Sequence, residues 1–200
     1  MDERGRALCG VAGPRVTRRD SMGHVLPRSP KLRMPYVDVA VLVAALSARW
    51  SDRDTAAFLW CGSYRRGAPI IGDLDLAVRV VDAEHRHFIE EWFRDDYASI
   101  VMSRKPNLDV RAFTRTEWPT GTLYLTGPME WNLYCRAAAK RKGWRLNEYG
   151  LWASEGTPAR SYRLTDATGH VPTTEKDVCR MLGIGYLPPT KRQRFKGWGT

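Results

Sequence analysis

Two aspartates stand two residues apart in an apolar stretch near the middle of the chain. Asp73 and Asp75 open DLDLAVRVV (73–81), whose apolar and β-branched residues predict a strand. Successive side chains of a strand point to opposite faces, so both carboxylates should face the same side. A bound divalent cation would relieve the repulsion between them, and Mg²⁺ in proteins is usually held by a few carboxylates together with substrate phosphates.

A third aspartate, Asp109, lies between Leu108 and Val110 in NLDVRAFT (107–114), which also predicts a strand. If the two strands are neighbours in one sheet, three carboxylates can hold two ions about 3.5–4 Å apart. This arrangement predicts two-metal transfer chemistry with Mg²⁺ as cofactor, for which Mn²⁺ can substitute. Asp109 is then the candidate to receive the proton of an attacking hydroxyl, directly or through its metal.

A loop rich in glycine and arginine, the candidate phosphate loop CGSYRRGAPIIG (61–72), precedes the first of these strands. Its glycines let backbone N–H groups approach phosphate oxygens, its serine adds a donor, and arginine offers a planar fork. Two aspartates on a strand are by themselves also typical of an exposed face, and a basic turn between strands would account for the arginines. Such a turn explains neither Gly62 nor Gly72, and the loop together with the carboxylates predicts a nucleoside triphosphate site.

The elements that would position these residues are helices mixed with strands, which predicts an α+β fold. Helices are predicted at 36–49, from Asp82 to about Asp96, at 129–142, and at 175–182 after a Thr174 cap. The buried face of the second helix is predicted to consist of Phe88, Ile89, Trp92 and Phe93. Further strands are predicted at 56–62, around Ile100 and at 146–154. The predicted domains are a basic flexible arm (1–32), a catalytic unit of mixed sheet and helices (33–120), and a smaller α/β unit (121–200).

The helix predicted at 129–142 carries polar and apolar residues at distinct spacings. Asn132 and Arg136 are four residues apart and should share a face. Their alternatives are a solvated asparagine and an arginine paired with Glu148 or Glu130. The remaining apolar positions are expected to form the buried face of the helix: Trp131, Leu133, Cys135 and Ala138.

Composition limits the function classes. The 200 residues carry a net charge of +10, with 32 Lys and Arg against 22 Asp and Glu, which favours a polyanionic partner over a basic surface without a role. The four cysteines lack zinc-site spacing and a disulfide pattern. The longest apolar run (37–46) is too short for a membrane span and no signal-peptide pattern is present. We therefore expect an intracellular monomer without a membrane contact.

Taken together, these segments resemble family X of the DNA polymerases over roughly residues 33–194. CGSYRRGAPIIGDLDLAV is similar to the GS-x-RRG…GDxD signature of the family, and NLDVR to the strand of its third aspartate. LYLTGP resembles its LYFTGS loop, and WNLYCRAAAKRKGWRLNEYGLW its helix followed by an INEY strand. EKDVCRMLGIGYLPPTKR resembles its closing segment, and RMP (33–35) its R-I-P segment.

The resemblance implies a nucleotidyltransferase palm that carries the three aspartates, and a C-terminal thumb or fingers domain that closes on the nucleotide. It implies the following dNTP-binding residues: Gly62, Ser63, Arg66, Gly72 and Arg33 at the phosphates, Tyr124 and Gly127 at the sugar and primer terminus, and Asn132 at the base edge. It implies these DNA contacts: Arg136, Lys140, Arg111 and Lys105.

The sequence departs from the family pattern at four positions. Leu125 replaces an aromatic residue, Met129 a common Asp, and Asn107 a common Arg. Pro128 follows Gly127 at a bond that the family tends to hold cis, and cis costs only about 0.5–1 kcal/mol before proline, so we predict a cis bond here. Residues 1–32 hold no match to the family's lyase domain, and we expect no deoxyribose-phosphate lyase activity.

The resulting functional prediction is DNA-directed DNA polymerase activity that fills short gaps during repair. The first alternative is a template-independent nucleotidyltransferase that acts on DNA ends or on another acceptor. A catalytically dead binding protein is disfavoured by the intact carboxylate set, and a basic DNA-coating protein leaves the phosphate loop unexplained.

Overall fold

The computed structural model describes residues 32–51, 57–100, 105–154, 161–165, 169–193 and 195. Their helices are α1 (Tyr36–Ser51), α2 (Gly62–Arg65), α3 (Arg86–Ile100), α4 (Trp118–Thr126), α5 (Met129–Arg141), α6 (Glu175–Leu182) and α7 (Pro189–Arg192). Their strands are β1 (Met34–Pro35), β2 (Phe58–Trp60), β3 (Ile70–Ile71), β4 (Asp73–Val80), β5 (Asn107–Thr114), β6 (Trp144–Asn147), β7 (Gly150–Ser154) and β8 (Ser161–Arg163). The predicted α+β class is confirmed, whereas the predicted basic arm lies outside the described residues except for Leu32.

The strand that carries the first two aspartates is central in its sheet. β4 pairs with β2 antiparallel and with β5 parallel, in the order β2-β4-β5. Leu74, Leu76, Ala77 and Val78 are fully buried, so both faces of β4 are covered beyond its first residues, as its continuous apolar run requires. Helices α1 and α3 supply the packing partners, among them Trp50 and Phe93, which lie edge to face.

The edge of β5 is closed by side chains of α3. The Ala112 N–H donates to Glu90 Oε1 at 2.8 Å, and Arg94 Nη2 donates to the Val110 carbonyl at 3.1 Å. These bonds satisfy backbone groups that an edge strand would otherwise present to solvent or to another chain. They also fix β5, and with it the third aspartate, against the helix.

A second core lies beneath α5. Trp131, Cys135 and Ala138 are buried there with residues of α4, β7 and α6, as predicted for this face of the helix. Helix α6 has the predicted Thr174 cap, with Asp177 completing a capping box, and ends at a left-handed Gly183. No helix among the described residues is long and apolar enough to cross a membrane.

In the first unit, one predicted helix is confirmed with later bounds and one predicted strand is wrong. Helix α3 begins at Arg86, because Asp82 Oδ1 accepts the N–H groups of Glu84 and His85 in a turn of its own. The helix then continues through Ile100, which excludes the strand predicted there. Phe88, predicted to be buried, is 65% exposed.

Three predictions in the second half also need correction. Residues 146–154 form no single strand: β6 and β7 make a hairpin, with Asn147 Oδ1 accepting the Tyr149 N–H in the turn. The LYLTGP segment lies largely in helix α4, which has Pro119 in its first turn. Leu133 is 53% exposed and does not belong to the core. The predicted cis bond at Gly127–Pro128 is confirmed.

Candidate active site

The strand register brings two of the aspartates together. Asp75 lies directly opposite Asp109 in the parallel β4–β5 pair, and Asp73 lies opposite Asn107. Because side chains alternate along each strand, all three aspartates face the same side of the sheet. The same face carries Arg111, two residues beyond Asp109.

Gly62 fits closely against the second aspartate. Its φ of +58° lies in the left-handed region, and a Cβ at this position would lie 1.7 Å from Asp75 Oδ2. The phosphate loop therefore needs glycine here both for its backbone and for the space that the carboxylate occupies. By contrast, nothing lies within 4 Å of a Cβ built at Gly72, so that glycine has no steric requirement in this structure.

One open cleft of about 450 Å³ gathers most of the predicted site residues. Its lining includes the following predicted residues: Gly62, Ser63, Arg66, Asp73, Asp75, Asp109, Arg111, Tyr124, Gly127, Asn132 and Arg136. The cleft is thus formed by both halves of the sequence. Four predicted residues do not line it: Arg33, Gly72, Lys105 and Lys140.

The residues outside the cleft have other surroundings. Arg33 is exposed beside β1, and Lys140 is exposed in the last turn of α5. Lys105 lies over the Tyr97 ring at 4.6 Å and donates to the Tyr97 carbonyl at 3.4 Å, so it closes the end of α3.

Ser63 carries an unsatisfied donor beside the carboxylates. Its Oγ is buried and has no hydrogen-bond partner in the structure. A buried hydroxyl without a partner costs free energy unless a ligand or water satisfies it. Since Ser63 lines the cleft, an anionic oxygen bound there would supply the missing acceptor.

Arg66 is anchored to the C-terminal half of the chain. Its Nη1 donates to the Thr126 carbonyl, and its Nε donates to Gln193 Oε1 at 3.1 Å. Burial lowers the pKa of Arg66, and the nearby Asp75 opposes that shift. Both acceptors are neutral oxygens, so the positive charge of Arg66 still faces the cleft.

The third aspartate has a cationic neighbour on its own strand. Arg111 Nε lies 3.4 Å from Asp109 Oδ1, and the two side chains are 46% and 47% exposed. Burial and the Asp109 charge act in opposite directions on the pKa of Arg111, and the net shift is upward. A contact of this length between half-exposed groups is weak, and a cation could displace the arginine.

Helix α5 supplies the polar residues of the opposite wall. Asn132 Nδ2 donates to the Tyr124 carbonyl at 2.8 Å, and the Arg136 guanidinium lies 5.4 Å from the centre of the Tyr124 ring. Asn132 and Arg136 share a face, as predicted, and both line the cleft. In this structure Asn132 already has a partner, which a base edge would have to replace.

Sequence reasoning missed a buried ionic network behind the phosphate loop. Arg65 Nη1 donates to Glu175 Oε1 and to Thr126 Oγ1, and Arg192 Nη2 donates to Glu175 Oε2 at 2.6 Å. Arg192 is fully buried, Glu175 is 6% exposed, and Arg192 Nε also donates to the Leu187 carbonyl. Contacts that join residue 65 to residue 175 leave no local signal in a sequence.

The donor chemistry of the cleft fits a hard divalent cation, but its arrangement is incomplete. Three carboxylates and no soft ligand are what Mg²⁺ selects. Among the described residues, however, no group of three or more His, Cys, Asp or Glu side chains is close enough to hold an ion. Three carboxylates share one face and one cleft without converging on one point.

Comparison with known proteins yields related sequences over much of this fold. The DNA polymerase beta thumb family model matches residues 121–193. DNA polymerase lambda of Rattus norvegicus is 30% identical over 161 residues, which cover 66% of this chain and 28% of that protein. Repair DNA polymerase X of African swine fever virus (isolate Tick/South Africa/Pretoriuskop Pr4/1996) is 29% identical over 61% of this chain and 59% of its own length.

A bacterial protein gives a similar match. The DNA polymerase/3'-5' exonuclease PolX of Bacillus subtilis (strain 168) is 25% identical over 68% of this chain and 24% of its own length. The chain therefore spans less than two thirds of the length of each of these three relatives. The thumb match begins at residue 121, and the predicted boundary between residues 120 and 121 stays a prediction.

Proposed function

The chain belongs to family X of the DNA polymerases, and from this premise we propose that it adds nucleotides from dNTPs to a primer 3′-hydroxyl under the direction of a DNA template. The cleft that combines three carboxylates with the unpartnered Ser63 hydroxyl carries the proposal. The carboxylates suit a metal-bound triphosphate, and Ser63 lacks the acceptor that a phosphate oxygen supplies. Filling of short gaps during repair is the specific role we propose.

The proposed mechanism assigns separate tasks to the two walls of the cleft. Asp73, Asp75 and Asp109 would hold two Mg²⁺ ions, or Mn²⁺, which when bound would lower the pKa of the attacking hydroxyl and neutralise the triphosphate. Asp109 accepts the proton of the 3′-hydroxyl. Ser63 donates to a phosphate oxygen, and the positive charge of Arg66 stabilises the charge that develops on the leaving pyrophosphate.

The second wall would read the base pair. Asn132 exchanges its bond to the Tyr124 carbonyl for the edge of the incoming base, and Arg136 contacts the template strand. Both residues lie on one face of a rigid helix whose opposite face is buried, which limits the positions their polar groups can take. An edge contact of this kind favours templated over untemplated addition.

DNA is the proposed partner, and an intracellular location follows from it. The net charge of +10 should attract the phosphate backbone without regard to sequence. Each phosphate contact releases condensed counterions, so the affinity should fall steeply as salt increases. The predicted monomer is retained as part of this proposal.

The testing experiment is primer extension on a duplex with a one-nucleotide gap, with each dNTP offered separately in the presence of Mg²⁺. We expect only the complementary nucleotide to be added efficiently. Asp109→Asn should reduce the rate at least about 100-fold, the loss typical of removing one electrostatic group from a site. The matched control is Asp95→Asn, an exposed aspartate of α3 outside the cleft, which should leave the rate unchanged.

Two results would change the assignment. Addition to a single-stranded primer regardless of the base offered would move the activity to template-independent transfer. If the protein is folded, as shown by cooperative unfolding, and adds no nucleotide to either DNA with Mg²⁺ or Mn²⁺, polymerase activity is contradicted altogether.

A further inference from the structure

The chain around the end of α7 is fixed on both sides of Gln193. Arg192 is fully buried, and its Nη2 donates to Glu175 Oε2 at 2.6 Å. Phe195 packs edge to face on Trp131, with 5.1 Å between the ring centres, and its N–H donates to the Arg192 carbonyl at 3.0 Å. Gln193 itself is exposed, so its neighbours rather than its own burial hold its backbone in place.

This exposed glutamine contacts the second arginine of the candidate phosphate loop. Arg66 Nε donates to Gln193 Oε1 at 3.1 Å across a separation of 127 residues, and Arg66 Nη1 donates to the Thr126 carbonyl. The two bonds engage different nitrogens of the planar guanidinium and together define its plane and its direction. A guanidinium has five N–H groups, so three remain on Nη1 and Nη2 for a ligand in the cleft that Arg66 lines.

The kind of acceptor at position 193 decides what Arg66 can offer to a ligand. A carboxylate there would also accept the Nε–H, but it would offset the positive charge, as Glu175 does for Arg65. A side chain without an acceptor would leave the guanidinium free to rotate. The amide oxygen of Gln193 orients the guanidinium and leaves its charge intact. Planar recognition of phosphate by arginine depends on this orientation, because the fork must be aligned with the phosphate oxygens.

We propose that Gln193 is a positioning residue for the triphosphate, which holds the Arg66 guanidinium toward the phosphates in the cleft. The inference rests on the proposed function, and it adds the segment that follows α7 to the elements that form the nucleotide site. Gln193 does not line the cleft and acts through Arg66. A guanidinium that is oriented before the ligand arrives loses less conformational freedom on binding, which increases the affinity.

The test is a double-mutant cycle on triphosphate binding. The complex is the full chain with a gapped duplex whose primer ends in a dideoxynucleotide, in Mg²⁺, so that the complementary dNTP binds without reacting. Titration calorimetry gives the Kd of this dNTP for the wild type, Gln193→Ala, Arg66→Ala and the double variant. The matched control is Thr190→Ala, which changes an exposed polar residue of α7 outside the cleft.

Gln193→Ala should raise the Kd about 5-fold, the cost of ordering one long side chain when the ligand binds. In the Arg66→Ala background the same change should leave the Kd unchanged, because the guanidinium through which Gln193 acts is absent. Thr190→Ala should give the wild-type Kd. If Arg66→Ala does not unfold cooperatively or binds too weakly to titrate, Arg66→Lys replaces it in the cycle, since lysine lacks the Nε–H that Gln193 accepts.

A charged acceptor separates the positioning role from a contribution to folding. Gln193→Glu keeps an acceptor beside Arg66 Nε and adds an ion pair, so the free energy of unfolding in urea should stay the same or rise. The Kd of the dNTP should still increase, to at least the value of Gln193→Ala, because the new carboxylate offsets the charge of Arg66. A side chain that only stabilised the fold would change stability and affinity in the same direction.

Two results would overturn the positioning role. One is a Kd for Gln193→Ala within about 2-fold of the wild type, below the cost of ordering a long side chain. The other is an equal increase in Kd with and without Arg66. If the wild type fills the gap in either case, only this inference fails. If the wild type neither binds the complementary dNTP nor extends a primer, the proposed function and the positioning role fail together.

Discussion

Removal of the buried carboxylate of Glu175 should destabilise the protein more than any exposed charge change. Glu175 lies between Arg65 and the fully buried Arg192, and it accepts a hydrogen bond from each. Replacement by glutamine keeps the size of the side chain but leaves two guanidinium groups without a counter-charge. Arg192 keeps its hydrogen bond to the Leu187 carbonyl and its position over the Trp131 and Tyr186 rings, but none of these partners carries a negative charge.

The magnitude follows from the burial of the network. Breaking a buried ion pair by removing one partner costs about 3–5 kcal/mol. Because the amide oxygen still accepts one bond and Arg65 is 23% exposed, we expect the lower end, about 3 kcal/mol. For a chain of this size, that loss lowers the midpoint of thermal unfolding by about 6–12 °C.

The assay is urea denaturation of the wild type and Glu175→Gln, with the midpoint and the slope fitted separately. The control is Glu91→Gln, whose carboxylate is 56% exposed beside His87 and should change the free energy of unfolding by less than about 0.5 kcal/mol. A combined Glu175→Gln/Arg192→Met variant should recover part of the loss, because it removes the uncompensated charge. A Glu175→Gln protein within about 1 kcal/mol of the wild type would refute the reasoning.

Two further changes test the loop and the α6 cap. Gly62→Ala should reduce the rate of primer extension at least about 100-fold, because the new Cβ displaces the Asp75 carboxylate. The matched variant Gly67→Ala changes a glycine at φ +69° that has nothing within 4 Å of a built Cβ. It should lower the free energy of unfolding by about 1–2 kcal/mol without that loss of rate. Extension kinetics and urea melts of both variants check this, and equal rates would contradict it. Hydrogen bonds from Thr174 hold the pKa of Asp177 below its usual value in the folded protein. The ionised carboxylate therefore contributes to stability above the pKa of the unfolded state, and this contribution is lost as the pH falls through the pKa of the folded state. Asp177→Asn should therefore cost about 1 kcal/mol in urea melts at pH 7 and progressively less below about pH 4; a constant difference would exclude the charge.

The carboxylate strand could be predicted because its signal is local. Asp73 and Asp75 share a face by strand alternation alone, and the glycine-rich loop precedes them directly. The pairing of Asp75 with Asp109 could be predicted only on the condition that their strands are neighbours, because register depends on how two strands 34 residues apart along the chain are packed. The ionic network of Glu175 could not be predicted from the sequence, because it also joins residues that are far apart along the chain.

Other errors came from patterns that were present but misassigned. At about 100° per residue, Leu133 lies roughly 200° around the helix from Trp131, so helical periodicity itself separates it from the core face. Ile100 follows Phe93 and Tyr97 at helical spacing, which extends α3 rather than starting a strand. The turn in NEYG is indicated by Asn147, whose side chain accepts a backbone N–H from two residues further along the chain.

The two adjacent arginines of the candidate phosphate loop have different kinds of partner, one charged and the other neutral. Arg65 is neutralised by Glu175, and it ties the loop to α6. Arg66 has neutral acceptors, Thr126 and Gln193, that fix its position without cancelling its charge. Burial lowers the pKa of Arg66, and the nearby carboxylates oppose the change. Further negative charge that enters the cleft would therefore stabilise the charged guanidinium. A triphosphate is such a charge, and in the proposed function the contacts of Arg66 with Thr126 and Gln193 would hold its guanidinium in place for that ligand.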